Sequence, residues 1–252
     1  MLKIYWIGLI LLFTFQSLAQ IGGVSGDKLI AFNAKGIAPL ALEFEPTLSY
    51  TRNDGFYNTQ GDFQSISNVI RSTQMVFRSA LGITENWEIG GQFDTGFSFF
   101  NLSTKYYLLG SERIDIGLMA GLNGTLGNDQ VSPENLNDQY LFGLIAEYAF
   151  TENISLNINL TVQDQKDYNK SDFFFAADLG YYFQPGHMLI AAFTNQNYSN
   201  NLLLPSSKWQ FLPGYIIERK NYVLVFTGQF DMSGKNIAAA NGLSVTITQL
   251  IL

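Results

Sequence analysis

The stretch Ile154-Ser155-Leu156-Asn157-Ile158-Asn159-Leu160-Thr161-Val162-Gln163 alternates apolar and polar side chains without a break. A period of two places the two sets on opposite faces of a β-strand, whereas a helix would scatter the asparagines around its circumference. The tripeptide before it, Thr151-Glu152-Asn153, has the composition of a tight hairpin loop, since asparagine tolerates the left-handed backbone such loops need. The same tripeptide recurs at Thr84-Glu85-Asn86. There it leads into a second alternation, Trp87, Ile89, Gly91, Phe93, Thr95, Phe97 and Phe99 against Glu88, Gly90, Gln92, Asp94, Gly96 and Ser98. A third runs through Leu40, Leu42, Phe44, Leu48 and Tyr50, interleaved with Glu43, Glu45, Thr47 and Ser49.

Extended over the chain, this pattern predicts strands at 39–51, 69–83, 86–99, 102–109, 113–126, 139–150, 154–164, 172–183, 188–196, 208–217, 221–231 and 242–252. That is twelve; 102–109 and 188–196 are the weakest, so ten or fourteen stay open. Most reach the 9 to 11 tilted residues that cross a bilayer, longer than an ordinary soluble strand. The connections alternate in length. Short turns are predicted at Thr84-Glu85-Asn86, Gly110-Ser111-Glu112, Thr151-Glu152-Asn153, Gln184-Pro185-Gly186-His187 and Glu218-Arg219-Lys220. Longer polar links span 52–68, 127–138, 165–171, 197–207 and 232–241, while the link near Phe100 and Asn101 is short. Short turns on one side and long loops on the other define a transmembrane antiparallel β-barrel, and an even strand count returns the N- and C-termini to the same, periplasmic, side.

Composition agrees. Aromatic residues make up 15% and charged residues 14%, with 23 glycines, against about 25% charged in average soluble domains. A barrel in lipid covers its outer face with apolar groups where a soluble sandwich needs charge. Aromatic residues sort to both strand ends. Trp87, Tyr148, Phe150, Tyr181, Phe183, Tyr215 and Tyr222 lie beside short turns, and Tyr50, Phe97, Phe99, Tyr140, Phe173, Trp209 and Phe230 toward the long loops. Two interfacial girdles are therefore expected.

At the N-terminus Lys3 precedes an apolar run, Ile4 to Phe15, and the small-residue site Ser17-Leu18-Ala19. This reads as a signal peptide over 1–19, too short for a membrane anchor, followed by a periplasmic lead over 20–38 and one barrel domain over 39–252. Gln20 after the cleavage site and the absence of cysteine exclude a lipoprotein anchor, disulfides and thiolate metal sites. The formal charge of −7, or −8 once Lys3 leaves, argues against a nucleic-acid partner. The expected location is the outer membrane of a Gram-negative bacterium.

The unit Leu81-Gly82-Ile83-Thr84-Glu85-Asn86-Trp87-Glu88-Ile89-Gly90 resembles a recurring hairpin of outer-membrane transporter barrels similar to those of the phenol meta-degradation type. The resemblance covers about ten residues and implies a barrel that admits small, often apolar, compounds; no functional residue carries across. In size and glycine-aromatic style the chain also resembles barrels that accompany type IX secretion and gliding, though without their usual N-terminal motif. The final strand departs from the usual barrel ending, because Gly242 to Leu252 contains no aromatic residue.

With the apolar face toward lipid, the charges on the other face line the lumen: Glu43, Glu45, Arg78, Glu88, Asp94, Lys105, Asp115, Glu147 and Asp178. Nearly all lie within about six residues of the short-turn end, Asp94 being the deepest, and their signs interleave on neighbouring strands. Two readings stay open. The layer is either internal scaffolding of paired ions, or a constriction whose acidic excess favours cations. Twelve strands enclose a lumen between the filled and the open cases, so geometry alone does not choose.

An enzyme is not expected. The single histidine, His187, falls in a turn, which leaves no Ser-His triad, no histidine metal cluster and no match to the outer-membrane phospholipase pattern. Glu43/Glu45 alternation is nonspecific, no phosphate-binding glycine fingerprint is present, and no cofactor is implied. Asp164, Asp167 and Asp172 could meet calcium, but Lys166 and Lys170 interrupt them. The loops near 164–172 and 195–201 suit solvent, sugars or a protein partner. The function expected is passive passage of a small solute through a polar lumen, with outer-membrane lipid as the surrounding partner. The alternative is a closed structural or partner-binding barrel, such as an accessory subunit of a secretion or surface assembly. Whether the lead plugs the barrel is left open.

Overall fold

The computed structural model describes residues 31–96, 99–124, 139–165, 171–198 and 205–251, so the signal-peptide reading over 1–19 lies outside the described residues. Twelve strands run β1 (Leu42–Tyr57), β2 (Phe63–Thr84), β3 (Trp87–Asp94), β4 (Phe100–Gly110), β5 (Ile114–Gly124) and β6 (Gln139–Thr151). They continue as β7 (Ile154–Gln165), β8 (Ser171–Gln184), β9 (His187–Tyr198), β10 (Ser206–Arg219), β11 (Tyr222–Lys235) and β12 (Ile237–Ile251). Each pairs antiparallel with its sequence neighbour, and β1 pairs with β12, from Leu42 opposite Ile251 to Tyr57 opposite Ile237, which closes the barrel. The alternation in 154–163 sits in β7, with Leu160 opposite Leu144 on one side and Phe175 on the other.

Two of the expected long links are instead mostly strand. β1 continues to Tyr57 and β2 begins at Phe63, leaving a turn in which Asn58 Oδ1 accepts the Gln60 and Asp62 amides, both at 2.9 Å. β11 and β12 are separated by Asn236 alone, whose φ of 50° is the left-handed conformation asparagine tolerates. Period two was invisible in these extensions because Asn53, Asp54, Gln64 and Ser65 put polar groups on both faces of β1 and β2, and Ala238, Ala239 and Ala240 put small apolar ones on both faces of β12. β3 is shorter than expected and stops at Asp94.

The burial pattern is inverted relative to a soluble protein. Phe142 is 59% exposed and Leu102 55%, whereas Glu88 and Asp178 are 0% and Lys105 1% exposed. An apolar outside around a polar inside is stable only against hydrocarbon, and closure leaves no unpaired strand edge along the ladder. Exposed aromatics mark both rims of this surface: Trp87, Phe150, Tyr181, Phe183 and Tyr222 at the turn end, Tyr50, Tyr140, Phe173, Trp209 and Phe230 at the loop end. Leu118, Leu144 and Leu160 form a cross-strand row midway up the outer face. Leu144→Arg in that row is expected to cost about 2–4 kcal/mol of barrel stability, measured by reversible unfolding in vesicles; a cost near zero would place this row outside the bilayer.

Candidate functional site

The interior is built from the inward set of each strand plus a strap formed by Ala31–Ala41. The strap enters β1 through Leu40, whose φ of 64° reverses the chain. Leu40 N–H donates to Gly82 O at 2.8 Å, and Gly82 N–H to Ala41 O at 3.1 Å. Gly82 has to be glycine, because a Cβ there would meet Ala38 O at 2.2 Å. Upstream, the strap lies across the lumen. Ala31 N–H donates to Asp178 Oδ2 at 2.8 Å and Ile37 N–H to Glu88 Oε2 at 3.0 Å. The Asn159 amide, turned with its oxygen toward the strap, accepts Phe32 N–H at 2.8 Å. Phe32 and Ala34 pack with Met119, Leu141 and Ile145 in a buried apolar cluster on the walls of β5 and β6. Backbone donors that have left water thus meet wall acceptors, the condition for burying irregular chain.

The lumen charges expected from sequence fall into groups. Arg78 Nη2 donates to Glu43 Oε1 at 2.6 Å and to Glu45 Oε2 at 2.5 Å, and Glu45 Oε2 also accepts Thr248 Oγ1–H at 2.6 Å. Lys105 Nζ lies 3.4 Å from Glu88 Oε1, both side chains fully buried, and donates to Asn33 Oδ1 of the strap at 2.9 Å. Asp115 accepts Tyr107 OH at 2.7 Å and pairs with Lys35 of the strap at 3.1 Å. The hydrogen bond that the Lys35 ammonium donates to Asp115, outweighing the opposing desolvation, holds Lys35 above the ordinary lysine value. Glu147 stands opposite Asp115 across β5 and β6, and Asp178 is buried under Ala31. Asp94 sits at the other end of β3, accepting Phe99 N–H at 3.3 Å. Four of these nine side chains, Glu88, Lys105, Asp115 and Asp178, therefore bind the strap.

A second polar cluster, near the loop end, was not among the sequence candidates. Lys208 Nζ lies 3.5 Å from Asp231 Oδ2, which also accepts Ala240 N–H at 2.7 Å. Gln210 Nε2 donates to Asp231 Oδ1 at 2.6 Å, and Tyr57 OH to Asp231 O at 3.0 Å. Beside it Tyr57, Phe174, Tyr198, Ile237 and Ala239 are packed together. Lys208 and Asp231 are the loop-end residues of the predicted strands 208–217 and 221–231, and carrying the inward parity of each strand through to that last residue would have found them.

Sites of catalysis or metal binding gain nothing from the geometry. His187 Nδ1 is 2.6 Å from Tyr215 OH and its Nε2 is 3.2 Å from Arg219 Nη2, a turn-end cluster. Asp172 is buried, Asp164 is exposed at the end of β7, and Asp167 lies outside the described residues. Among the described residues no group of three His, Cys, Asp or Glu side chains could hold a metal ion.

These features define the class: a transmembrane β-barrel of twelve antiparallel strands whose interior is polar and crossed by a strap. No protein-family model matches the sequence, and no curated protein does. Among solved structures, an outer membrane channel from Pseudomonas putida F1 is similar with TM-score 0.68 at 12% identity, over 89% of this chain and 100% of that one. The KdgM porin in complex with disordered oligogalacturonate aligns with TM-score 0.54 at 8% identity, over 83% of this chain and 98% of that chain. The CymD monoaromatic hydrocarbon channel aligns with TM-score 0.52 at 8% identity, over 92% and 98%. At these identities the likeness is one of fold. By name these proteins are two channels and a porin, and they share the barrel fold described above.

Proposed function

We propose that the protein is an outer-membrane channel giving passive passage to a small solute, with its short turns and both termini on the periplasmic side. The observation that carries this reading is a closed barrel with a polar interior in the fold of known channels. Passage needs a continuous wetted surface through the bilayer, and inward Ser, Thr and Gln side chains supply one where packed apolar residues would not. In planar bilayers the purified protein should give discrete ion-conducting steps and admit small solutes in vesicle-swelling assays. A folded protein that does neither would instead be a closed structural barrel, the second reading. That reading draws on the pairing of Arg78 with Glu43 and Glu45 and of Lys105 with Glu88.

In the channel reading the charged groups differ in role. Lys105 and Glu88 are sealed from solvent, while Glu45 is half-buried and reaches the lumen. Arg78→Met should therefore free two carboxylates and shift the reversal potential in a salt gradient toward cation selectivity. An unchanged potential would remove Arg78 from the conduction path.

A further inference from the structure

Burial on the inner wall is lopsided. Mid-strand inward residues from β4 to β10 are covered, among them Ser103, Met119, Leu141, Thr161, Ala192 and Leu212. The strap covers the β5 and β6 side, and an apolar cluster including Met188, Ile190, Leu212 and Ile216 fills the wall toward β9 and β10. On β12, β1 and the loop-side half of β11 the equivalent positions stay half-open: Thr227, Gln229, Gly242, Ser244, Thr246, Thr47, Ser49 and Thr51, while Val225 nearer the turn end of β11 is covered by the apolar cluster. Six of these eight residues carry a hydroxyl, and the other two are a glutamine and a glycine. Thr47 and Thr246 bridge the β1–β12 seam at 2.9 Å between hydroxyl oxygens, and Ser49 Oγ donates to Gln74 O at 3.3 Å. No inward residue between Glu45 and Asp231 along these three strands is ionisable. The trough is bounded at the turn end by Thr248, Glu45 and Arg78, and at the loop end by Asp231 held to Ala240 and Lys208.

We propose that this hydroxyl trough along β11, β12 and β1 is the solute path, and that it takes small uncharged polyhydroxylated solutes; the proposal rests on the channel reading above. Each hydroxyl both donates and accepts, so a polyol exchanges its water hydrogen bonds for wall hydrogen bonds at every step. An ion finds no fixed countercharge along the same wall, and an apolar solute finds no dry surface, so both lose hydration or contact without replacement.

The chain has no cysteine, so single cysteines report position without background. Ser244→Cys lies in the trough and Thr161→Cys on the covered wall, both at inward hydroxyl positions. In reconstituted vesicles a membrane-impermeant methanethiosulfonate reagent should modify Ser244→Cys at least about tenfold faster than Thr161→Cys, since thiol reactivity follows access. Modification at Ser244→Cys should slow swelling in glucose several-fold, and the unmodified protein should admit glucose faster than glucuronate, which has the same pyranose ring and one carboxylate. Equal labelling at the two positions, or uptake unaltered by labelling at 244, overturns the trough while leaving the channel reading intact. Equal entry of glucose and glucuronate overturns the solute class. Rapid labelling at 244 in a protein that admits no solute and conducts no ion overturns the channel reading, and the path with it.

Discussion

Deleting residues 21–38 is expected to raise single-channel conductance several-fold while the barrel remains folded. The described part of this segment fills one side of the lumen, with Phe32 and Ala34 seated against Met119, Leu141 and Ile145. Its removal uncovers that apolar wall. The loss is on the order of 1.5–3 kcal/mol for each large side chain returned to water. It is not a loss of the barrel, because the strand ladder closes through β1 and β12 without the strap. The wall charges also keep partners: Glu88 retains Lys105, and Asp115 retains Tyr107 OH. Folding is checked by the difference in gel mobility between unheated and heated samples, and conductance by step histograms in planar bilayers. A folded deletion variant with unchanged steps would show that ions already pass by a route the strap does not obstruct, which the trough on the opposite wall supplies.

The contrast between strap and barrel explains what could be read from sequence. Strand number was legible because each crossing must present lipid-facing groups at every second position, as Leu156, Ile158, Leu160 and Val162 do in β7. The Glu45–Arg78 and Glu88–Lys105 pairs were nearly legible too, since hairpin register places each pair on facing strands. Above the bilayer nothing enforces alternation, and the extensions of β1, β2, β11 and β12 were mistaken for loops. The strap was illegible for a different reason. Ala31-Phe32-Asn33-Ala34-Lys35-Gly36-Ile37-Ala38 has no period, and its partners Glu88, Lys105, Asp115, Asn159 and Asp178 come from β3, β4, β5, β7 and β8. Only barrel closure brings those strands around one segment.

The charges that hold the strap should be separable from the charges that meet the solute, and Lys105 provides the test. Its ammonium is buried between Glu88 and Asn33, with no solvent to replace either partner. Lys105→Met therefore strands the Glu88 carboxylate in a dry site, and breaking a buried pair from one side typically costs about 3–5 kcal/mol. The expected result is a markedly lower unfolding temperature of the detergent-solubilised barrel. Combining Lys105→Met with Glu88→Gln should recover most of the loss, because a neutral amide still offers an oxygen to Ile37 N–H where Glu88 Oε2 now accepts it at 3.0 Å. Ion selectivity in the double variant should stay at the parental value, in contrast to Arg78→Met. Recovery of stability with unaltered selectivity assigns the Lys105–Glu88 pair to anchoring the strap, whereas a shifted reversal potential in the stable double variant would return the pair to the conduction path.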